Sequence, residues 1–354
     1  MVTVALGPRS YGIKVGAGLL ATLGPEALPL PLGKNCAVIS DSNVAPLYGA
    51  RAMESLRNAG FRPVEITIPA GEKSKSLEHT ERVCERMIEA GLDRKAWIAA
   101  LGGGVVGDLA GFVAAIYYRG IPYLQLPTTI VAQVDSAVGG KTGVNAHNGK
   151  NLIGAFHQPR LVLADVDTLA TLPDREFNEG FAEVIKHGII RDRTLLDAVA
   201  SLDRANLAPI IQRNIEIKAA IVSADEHEST GQRALLNFGH TIGHAIEAAA
   251  GYGTLLHGEA ISLGLVAACA ISVKKAGLPP AEARQVTTLL HQYHLPTRLP
   301  EGLWTESILS ALKRDKKFEE GAIRFVLSPR LGEAFVSKDV TLEDIREALA
   351  AIGA

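Results

Sequence analysis

The chain has 354 residues, of which 47% are apolar and 21% charged, with a formal net charge of −2. That length favours two domains over a single core, and the near-neutral balance argues against a nucleic-acid surface, which needs a clear excess of Lys and Arg. Cys36, Cys84 and Cys269 are scattered and form no CxxC pair, which excludes a disulfide scaffold and a cysteine-built zinc site and suits a reducing cytoplasm.

Met1 to Pro8 shows no basic segment followed by an apolar run, so no signal peptide is expected. Val2 to Leu6 and Tyr11 to Val15 are spaced to form a hairpin. Cys36 to Ser40 reads as a strand and Val44 to Ala59 as the helix after it. Val64 to Ile68 is the next strand, with a helix from Ser76 to Ala90, and Trp97 to Leu101 is a third strand running straight into glycines. Tyr123 to Leu126 and Leu161 to Ala164 complete an alternating pattern typical of a parallel α/β sheet.

After Leu172-Pro173 the texture becomes helical. Arg175 to Ile190, Arg204 to Ser223, His240 to Ala250, Gly258 to Lys275 and Ala281 to His291 carry helical apolar spacing. The longest apolar stretch, Ala260 to Val273, falls short of the roughly 20 residues that span a bilayer, so it predicts a buried helix and no membrane association. A late hairpin, Ile323 to Leu327 with Glu333 to Ser337, precedes a closing helix from Leu342 to Ile352. The expected architecture is a Rossmann-like, parallel-sheet α/β nucleotide-binding domain over residues 1–172. A mostly α-helical metal- and substrate-binding domain follows over 173–354, with a cleft between them for a small molecule.

Gly102, Gly104 and Gly107 satisfy GxGxxG between the third strand and a helical stretch. Such a turn lets the backbone approach a pyrophosphate while the helix start offers unpaired N–H groups. It can also serve geometry alone, and the acidic residue usually found at the end of the next strand is absent from Gln125 to Thr129. Asp41, ending an earlier strand, and the Thr128-Thr129 turn tip the reading toward a nucleotide. A second glycine run, Asp135 to Thr142, resembles the end of a P-loop. It has Asp135 where GxxxxGK[ST] needs glycine, and a carboxylate there repels a nucleoside polyphosphate.

His240 and His244 lie one turn apart on one helical face. They lack the glutamate of HExxH, so a zinc protease is not supported. With Glu183 and His257 they offer the His2Glu set of an open zinc site. A helical histidine pair can equally be hydrogen-bonded packing, and spacing alone leaves open which three residues bind.

Five blocks together resemble the 3-dehydroquinate synthases, a family of sugar-phosphate cyclases. They are LGGGVVGDLAGF from Leu101, LPTTIVAQVDSAVGGKTGVN from Leu126, GKNLIGAF from Gly149, EGFAEVIKHG from Glu179 and LNFGHTIGHAIE from Leu236. The resemblance implies a phosphate-eliminating carbon–oxygen lyase that turns 3-deoxy-D-arabino-heptulosonate 7-phosphate into 3-dehydroquinate, in the shikimate route to aromatic amino acids. The resemblance also implies a course of transient NAD oxidation, elimination, re-reduction and aldol closure. It assigns a zinc or cobalt ion to Glu183, His240 and His257, leaving His244 beside the substrate. It assigns NAD to Asp41, Glu72, Lys75, Gly103, Gly104, Val105, Asp108, Thr128, Thr129, Lys141, Lys150, Thr168, Leu169 and Thr171. Asp135, Lys141, Asn151, Lys186, Lys218, Glu228, Arg233, Asn237 and His244 are implied around an anionic sugar phosphate. Arg119 is implied to reach a neighbour's phosphate site in a homodimer, and Lys316 to lie near the same substrate. Asp225 to Arg233 reads DEHESTGQR, one residue longer than the family's commonest form, with Glu228 and Arg233 still expected to serve.

Two catalytic rivals share the NAD layer: another sugar-phosphate cyclase and a metal-dependent polyol dehydrogenase. The cations around the metal candidates favour an anionic substrate over a neutral polyol, and Lys218 with Arg233 suit a carboxylate. A non-catalytic nucleotide-binding protein has no need of Glu183, Lys186, His240 and His257 together.

Overall fold

In the computed structural model, which describes residues 1–147, 149–251, 253–313, 318–319 and 322–353, the apolar runs of the first half form a seven-stranded sheet. Its strands are β1 (Val2–Val4), β2 (Tyr11–Gly16), β3 (Asn35–Asp41), β4 (Arg62–Ile68), β5 (Trp97–Gly102) and β6 (Tyr123–Pro127). A separate pair, β7 (Lys141–Ala146) and β8 (Gly149–Phe156), precedes the seventh, β9 (Leu161–Asp165). The spatial order is β1-β2-β9-β6-β5-β3-β4. Only β1 and β2 run antiparallel; every other neighbouring pair in the sheet is parallel.

Parallel strands covered on both faces read as unbroken apolar runs rather than alternations, and β3 and β5 show why. Ala37, Ile39, Ile98 and Ala100 enter one core with Leu109 and Val113. Their neighbours Cys36, Val38, Trp97, Ala99 and Leu101 enter the other, with Leu23, Met53 and Leu56.

The expected helix from Val44 begins instead as a wide π-type turn, Ala45–Gly49, and becomes regular over Ala50–Asn58. Pro46 lies in that first turn and cannot donate a backbone hydrogen bond. Leu77–Glu89 is capped by Ser76, whose side chain accepts from the His79 N–H.

Contacts divide the chain into Met1–Leu172 with Lys218–Ser223, and Pro173–Ile217 with Ala224–Ala354. The second unit is mostly helical. The single helix expected over Arg175 to Ile190 is two, Asp174–Glu179 and Phe181–Arg191, interrupted at Gly180, a residue that weakens a helix by about 1 kcal/mol relative to alanine. Two short helices escaped the apolar periodicity: Arg193–Ala200, started by the Asp192 cap, and Thr305–Lys313. Ala208–Ala224, His240–Ala250, His257–Ala276, Pro280–Gln292 and Leu342–Ala351 lie close to their expected positions. The late hairpin pairs Phe325–Arg330 with Glu333–Ser337. Among the described residues no helix is long and apolar enough to cross a membrane.

Candidate cofactor and metal sites

Ligands of open parallel sheets gather at the carboxyl ends of strands where the strand order reverses. Here the chain leaves β3 for β4 on one side and returns with β5 on the other, so the reversal lies between the ends of β3 and β5. Asp41 ends β3 and Gly102 ends β5. Thr128 and Thr129 follow β6, Thr168, Leu169 and Thr171 form the turn after β9, and Glu72 with Lys75 follows β4.

The glycine turn divides its labour. A Cβ on Gly102 would strike Val106 at 2.6 Å and one on Gly107 would strike Gln125 at 2.8 Å, so these two serve packing. Cβ atoms on Gly103 and Gly104 would meet only the side chains of Thr129 and Ser136, at 3.1 and 3.2 Å. Gly103 starts the helix Gly104–Ile116, where no side chain caps the first N–H groups and no acidic residue occupies the first turn. The Thr128 hydroxyl is buried with no hydrogen-bond partner. Asp41 accepts from the Asn43 and Val44 N–H groups through Oδ1 alone, at 2.8 and 3.0 Å. An uncapped helix start, an orphan hydroxyl and a carboxylate with one oxygen to spare fit a pyrophosphate and ribose.

Around this edge Lys75 pairs with Asp108 on the glycine-turn helix; burial nonetheless pushes the Asp108 carboxyl up. Glu72 accepts from the Asn145 amide at 2.8 Å and lies 3.7 Å from the Lys150 ammonium. Asn145 was not singled out from sequence. Its backbone N–H reaches the Lys75 carbonyl, and its Oδ1 accepts from the N–H of Asn151, which is held at φ 57°. It therefore ties the β7–β8 hairpin to the Glu72–Lys75 turn. Lys218 donates to the Asp135 carboxylate and carbonyl, both at 2.5 Å. Lys141 opens β7 with an exposed side chain, and Arg119 is exposed after the helix Gly104–Ile116.

In the second unit, three helices converge on one carboxylate. Glu183 is fully buried on Phe181–Arg191; His240 and His257 are the first residues of their helices. His240 Nε2 and His257 Nε2 lie 3.2 and 3.1 Å from Glu183 Oε1, and the donor atoms of all three lie within 4.8 Å of one another. Glycines allow this approach. A Cβ on Gly264 would sit 2.1 Å from the Gly239 carbonyl, and one on Gly258 would sit 2.0 Å from that of Glu179.

The opposite ring nitrogen of His240 is also oriented, as a metal-bound imidazole requires: Nδ1 lies 3.2 Å from the Phe238 carbonyl, while His257 Nδ1 faces the Glu247 carboxylate at 3.9 Å. Glu247 lies two turns along the same helical face from His240, a periodicity by which the sequence could have flagged it. Burial alone would raise the Glu183 carboxyl, but Lys186, in direct contact, and the two histidines hold it well below its usual range. Burial and Lys186 push His240 down, toward the neutral ligand form. A buried anionic carboxylate flanked by two imidazoles fits a divalent ion such as zinc or cobalt.

The His244 ring stands 5.1 Å from that of His240 and 5.9 Å from that of His257. Arg233 is buried, donates to the Glu226 carbonyl and lies 3.9 Å from Glu228 Oε1, with Glu228 at φ 58°. Asn237 ends the turn Arg233–Asn237. Lys316 lies outside the described residues.

Two family models, 3-dehydroquinate synthase N-terminal and C-terminal, match residues 65–179 and 180–318. The chain is 49% identical to the 3-dehydroquinate synthase of Symbiobacterium thermophilum, over 98% of this chain and 99% of the relative. It is 46% identical to that of Desulforamulus reducens, over 97% and 98%. Among solved structures it is similar to 2-epi-5-epi-valiolone synthase from Streptomyces hygroscopicus subsp. jinggangensis with NAD+ and Zn2+ bound, with a TM-score of 0.88, 29% identity and 98% of each chain covered. It is also similar to 2-deoxy-scyllo-inosose synthase complexed with carbaglucose-6-phosphate, NAD+ and Co2+, with a TM-score of 0.87, 27% identity and 99% of each chain covered. A probable glycerol dehydrogenase from Sinorhizobium meliloti, 18% identical over 96% of each chain with a TM-score of 0.65, shares the fold. With both family models matched in sequence and relatives aligned almost end to end, the chain belongs to the 3-dehydroquinate synthase family.

Proposed function

We propose that the chain converts 3-deoxy-D-arabino-heptulosonate 7-phosphate to 3-dehydroquinate and inorganic phosphate, as an NAD- and metal-dependent homodimeric lyase of the cytoplasm. The observation that carries this reading is the convergence of His240 and His257 on buried Glu183 in a chain of this family. When bound, NAD supplies reversible oxidation of a substrate hydroxyl, and zinc or cobalt supplies Lewis acidity toward substrate oxygens.

The chain's own residues bind and orient. The edge from Asp41 through Gly103, Gly104, Val105, Thr128 and Thr129 holds the dinucleotide, with Glu72, Lys75, Asp108, Lys150 and the Thr168–Thr171 turn completing its bed. Glu183, His240 and His257 hold the ion. Lys141, Lys186, Lys218 and Arg233 pair with the substrate carboxylate and phosphate, while Asn151, Asn237 and His244 fix its hydroxyls. Lys218 fixes the Asp135 carboxylate and Glu228 steadies Arg233. Arg119 serves a second subunit. Supporting this role, Tyr118, Arg119 and Gly120 run at φ 49°, 68° and 122°, a strained course for two side-chain-bearing residues that packing of an exposed arginine does not require.

The test is a phosphate-release assay on metal-analysed enzyme. Substrate consumption is expected to release phosphate in equal amount while total NADH stays constant. Accumulating NADH would instead identify a polyol dehydrogenase, and turnover only of a heptose phosphate lacking the carboxylate would identify another cyclase. His240→Ala is expected to lose both metal and turnover, and Lys141→Ala turnover alone. Full metal content in purified His240→Ala would overturn the ligand assignment.

A further inference from the structure

His257 is the first residue of the helix His257–Ala276, and its N-cap, Leu256, has no side-chain acceptor with which to cap that helix. The two backbone N–H groups flanking His257 are held by carboxylates instead. Leu256 N–H donates to Glu259 Oε2 and Gly258 N–H to Glu179 Oε2, each at 2.8 Å. Glu259 is gripped by Arg175 through two parallel bonds, Nε to Oε1 and Nη2 to Oε2, both at 2.7 Å. The same guanidinium reaches the Thr254 carbonyl at 3.3 Å. Arg175 and Glu179 both sit on Asp174–Glu179, which runs through Gly180 into the helix bearing Glu183.

We infer that Arg175, Glu179 and Glu259 form a clasp that sets the position of the metal ligand His257 relative to Glu183. A bidentate arginine–carboxylate pair fixes a plane as well as a distance, and here that plane is bonded to the backbone on one side of His257. Glu179 fixes the backbone on the other side, and the absence of a Gly258 Cβ lets the helix start lie directly against the Glu179 carbonyl. The imidazole thus inherits its placement from the segment that carries Glu183. None of the three belongs to the proposed ligand set; they are positioning residues, and Arg175, with a half-exposed side chain, is the one whose removal least disturbs the core.

The inference rests on the metal assignment proposed above. Its test is cobalt titration of chelator-treated protein against a competing chelator, read by the visible absorption bands that report coordination geometry, with thermal denaturation of the metal-free protein alongside. Arg175→Ala is expected to weaken cobalt binding by up to about 10-fold, the lower end of the range for a direct outer-shell partner because Arg175 acts through Glu259, and to shift the bands. Arg175→Lys, which keeps the charge without the fork, is expected to fall between Arg175→Ala and parent. Arg213→Ala, which breaks a comparably exposed ion pair with Asp192 in the same unit, is expected to leave affinity and spectrum unchanged. Parental affinity and bands in Arg175→Ala, with cobalt binding lost in His257→Ala, would overturn the clasp alone. An equal loss in Arg213→Ala would reduce it to general stability. Parental cobalt binding in His257→Ala would bring down the metal assignment, and the clasp with it.

Discussion

Glu183 and Lys186 form an ion pair with both side chains almost wholly removed from water. Removing one partner of such a pair leaves the other charge buried and costs about 3–5 kcal/mol. The two imidazoles still face Glu183, so Lys186→Met is expected at the lower end, about 3 kcal/mol, read from the urea midpoint of metal-free protein. Saturating zinc is expected to return part of that loss, because the ion supplies the positive charge that the lysine provided. A variant as stable as the parent without metal would mean that the pair contributes nothing. Glu183, His240, His244 and His257 were all legible as candidates, because carboxylates and imidazoles at helix starts are rare enough to notice. The choice among them was not. His240 and His244 are equivalent by helical period, and only the packing of three helices brings His240 onto Glu183 and leaves His244 beside it.

Elements hold that packing through their glycines. Gly264 on His257–Ala276 lies where a Cβ would come within 2.1 Å of the Gly239 carbonyl, immediately before His240. Gly264→Ala must therefore push the two ligand-bearing helices apart. A loss of about 1–3 kcal/mol, the usual cost of overpacking, is expected together with weaker cobalt binding, checked by thermal denaturation and metal titration. The closing helix Leu342–Ala351 offers a contrast away from the site. Thr341 Oγ1 accepts from the Asp344 N–H at 3.2 Å, and Asp344 Oδ2 accepts from the Thr341 N–H at 2.9 Å. Thr341→Ala is expected to cost about 1 kcal/mol with unchanged turnover. Burial would raise the Asp344 carboxyl, but the Thr341 bonds and the ammonium groups of Lys274 and Lys275 outweigh it and hold the group down. Its contribution is therefore complete above the unfolded carboxylate range near pH 4 and disappears as pH falls below it. Melting temperature between pH 7 and pH 3 should decline less steeply in Asp344→Asn than in the parent.

The parallel strands were legible because burial on both faces writes an unbroken apolar run. The β7–β8 hairpin was not, because Gly143 and Gly154 face each other across it. A Cβ on either would strike the partner strand's backbone, at 2.6 and 2.2 Å, so the pattern that usually announces a strand is missing.

At the scale of the whole molecule, the residues proposed for the dinucleotide fall within Met1–Leu172, while the three ion-binding candidates fall within Pro173–Ile217 and Ala224–Ala354. The two sets share no residue, so neither the dinucleotide nor the ion takes a protein ligand from the other. Calorimetric titration of chelator-treated enzyme with NAD is therefore expected to give a Kd within about twofold of the metal-loaded value. The converse should hold for Gly103→Val, which sets a branched side chain against Thr129 beside the uncapped helix start. That variant is expected to lose NAD affinity while binding cobalt with parental stoichiometry. Both the chelator-treated enzyme and Gly103→Val should be inactive, because the proposed chemistry draws on each group. A tenfold loss of NAD affinity on chelation alone would show that the ion, or a residue it orders, takes part in holding the dinucleotide, and the division of labour would have to be redrawn around a shared residue.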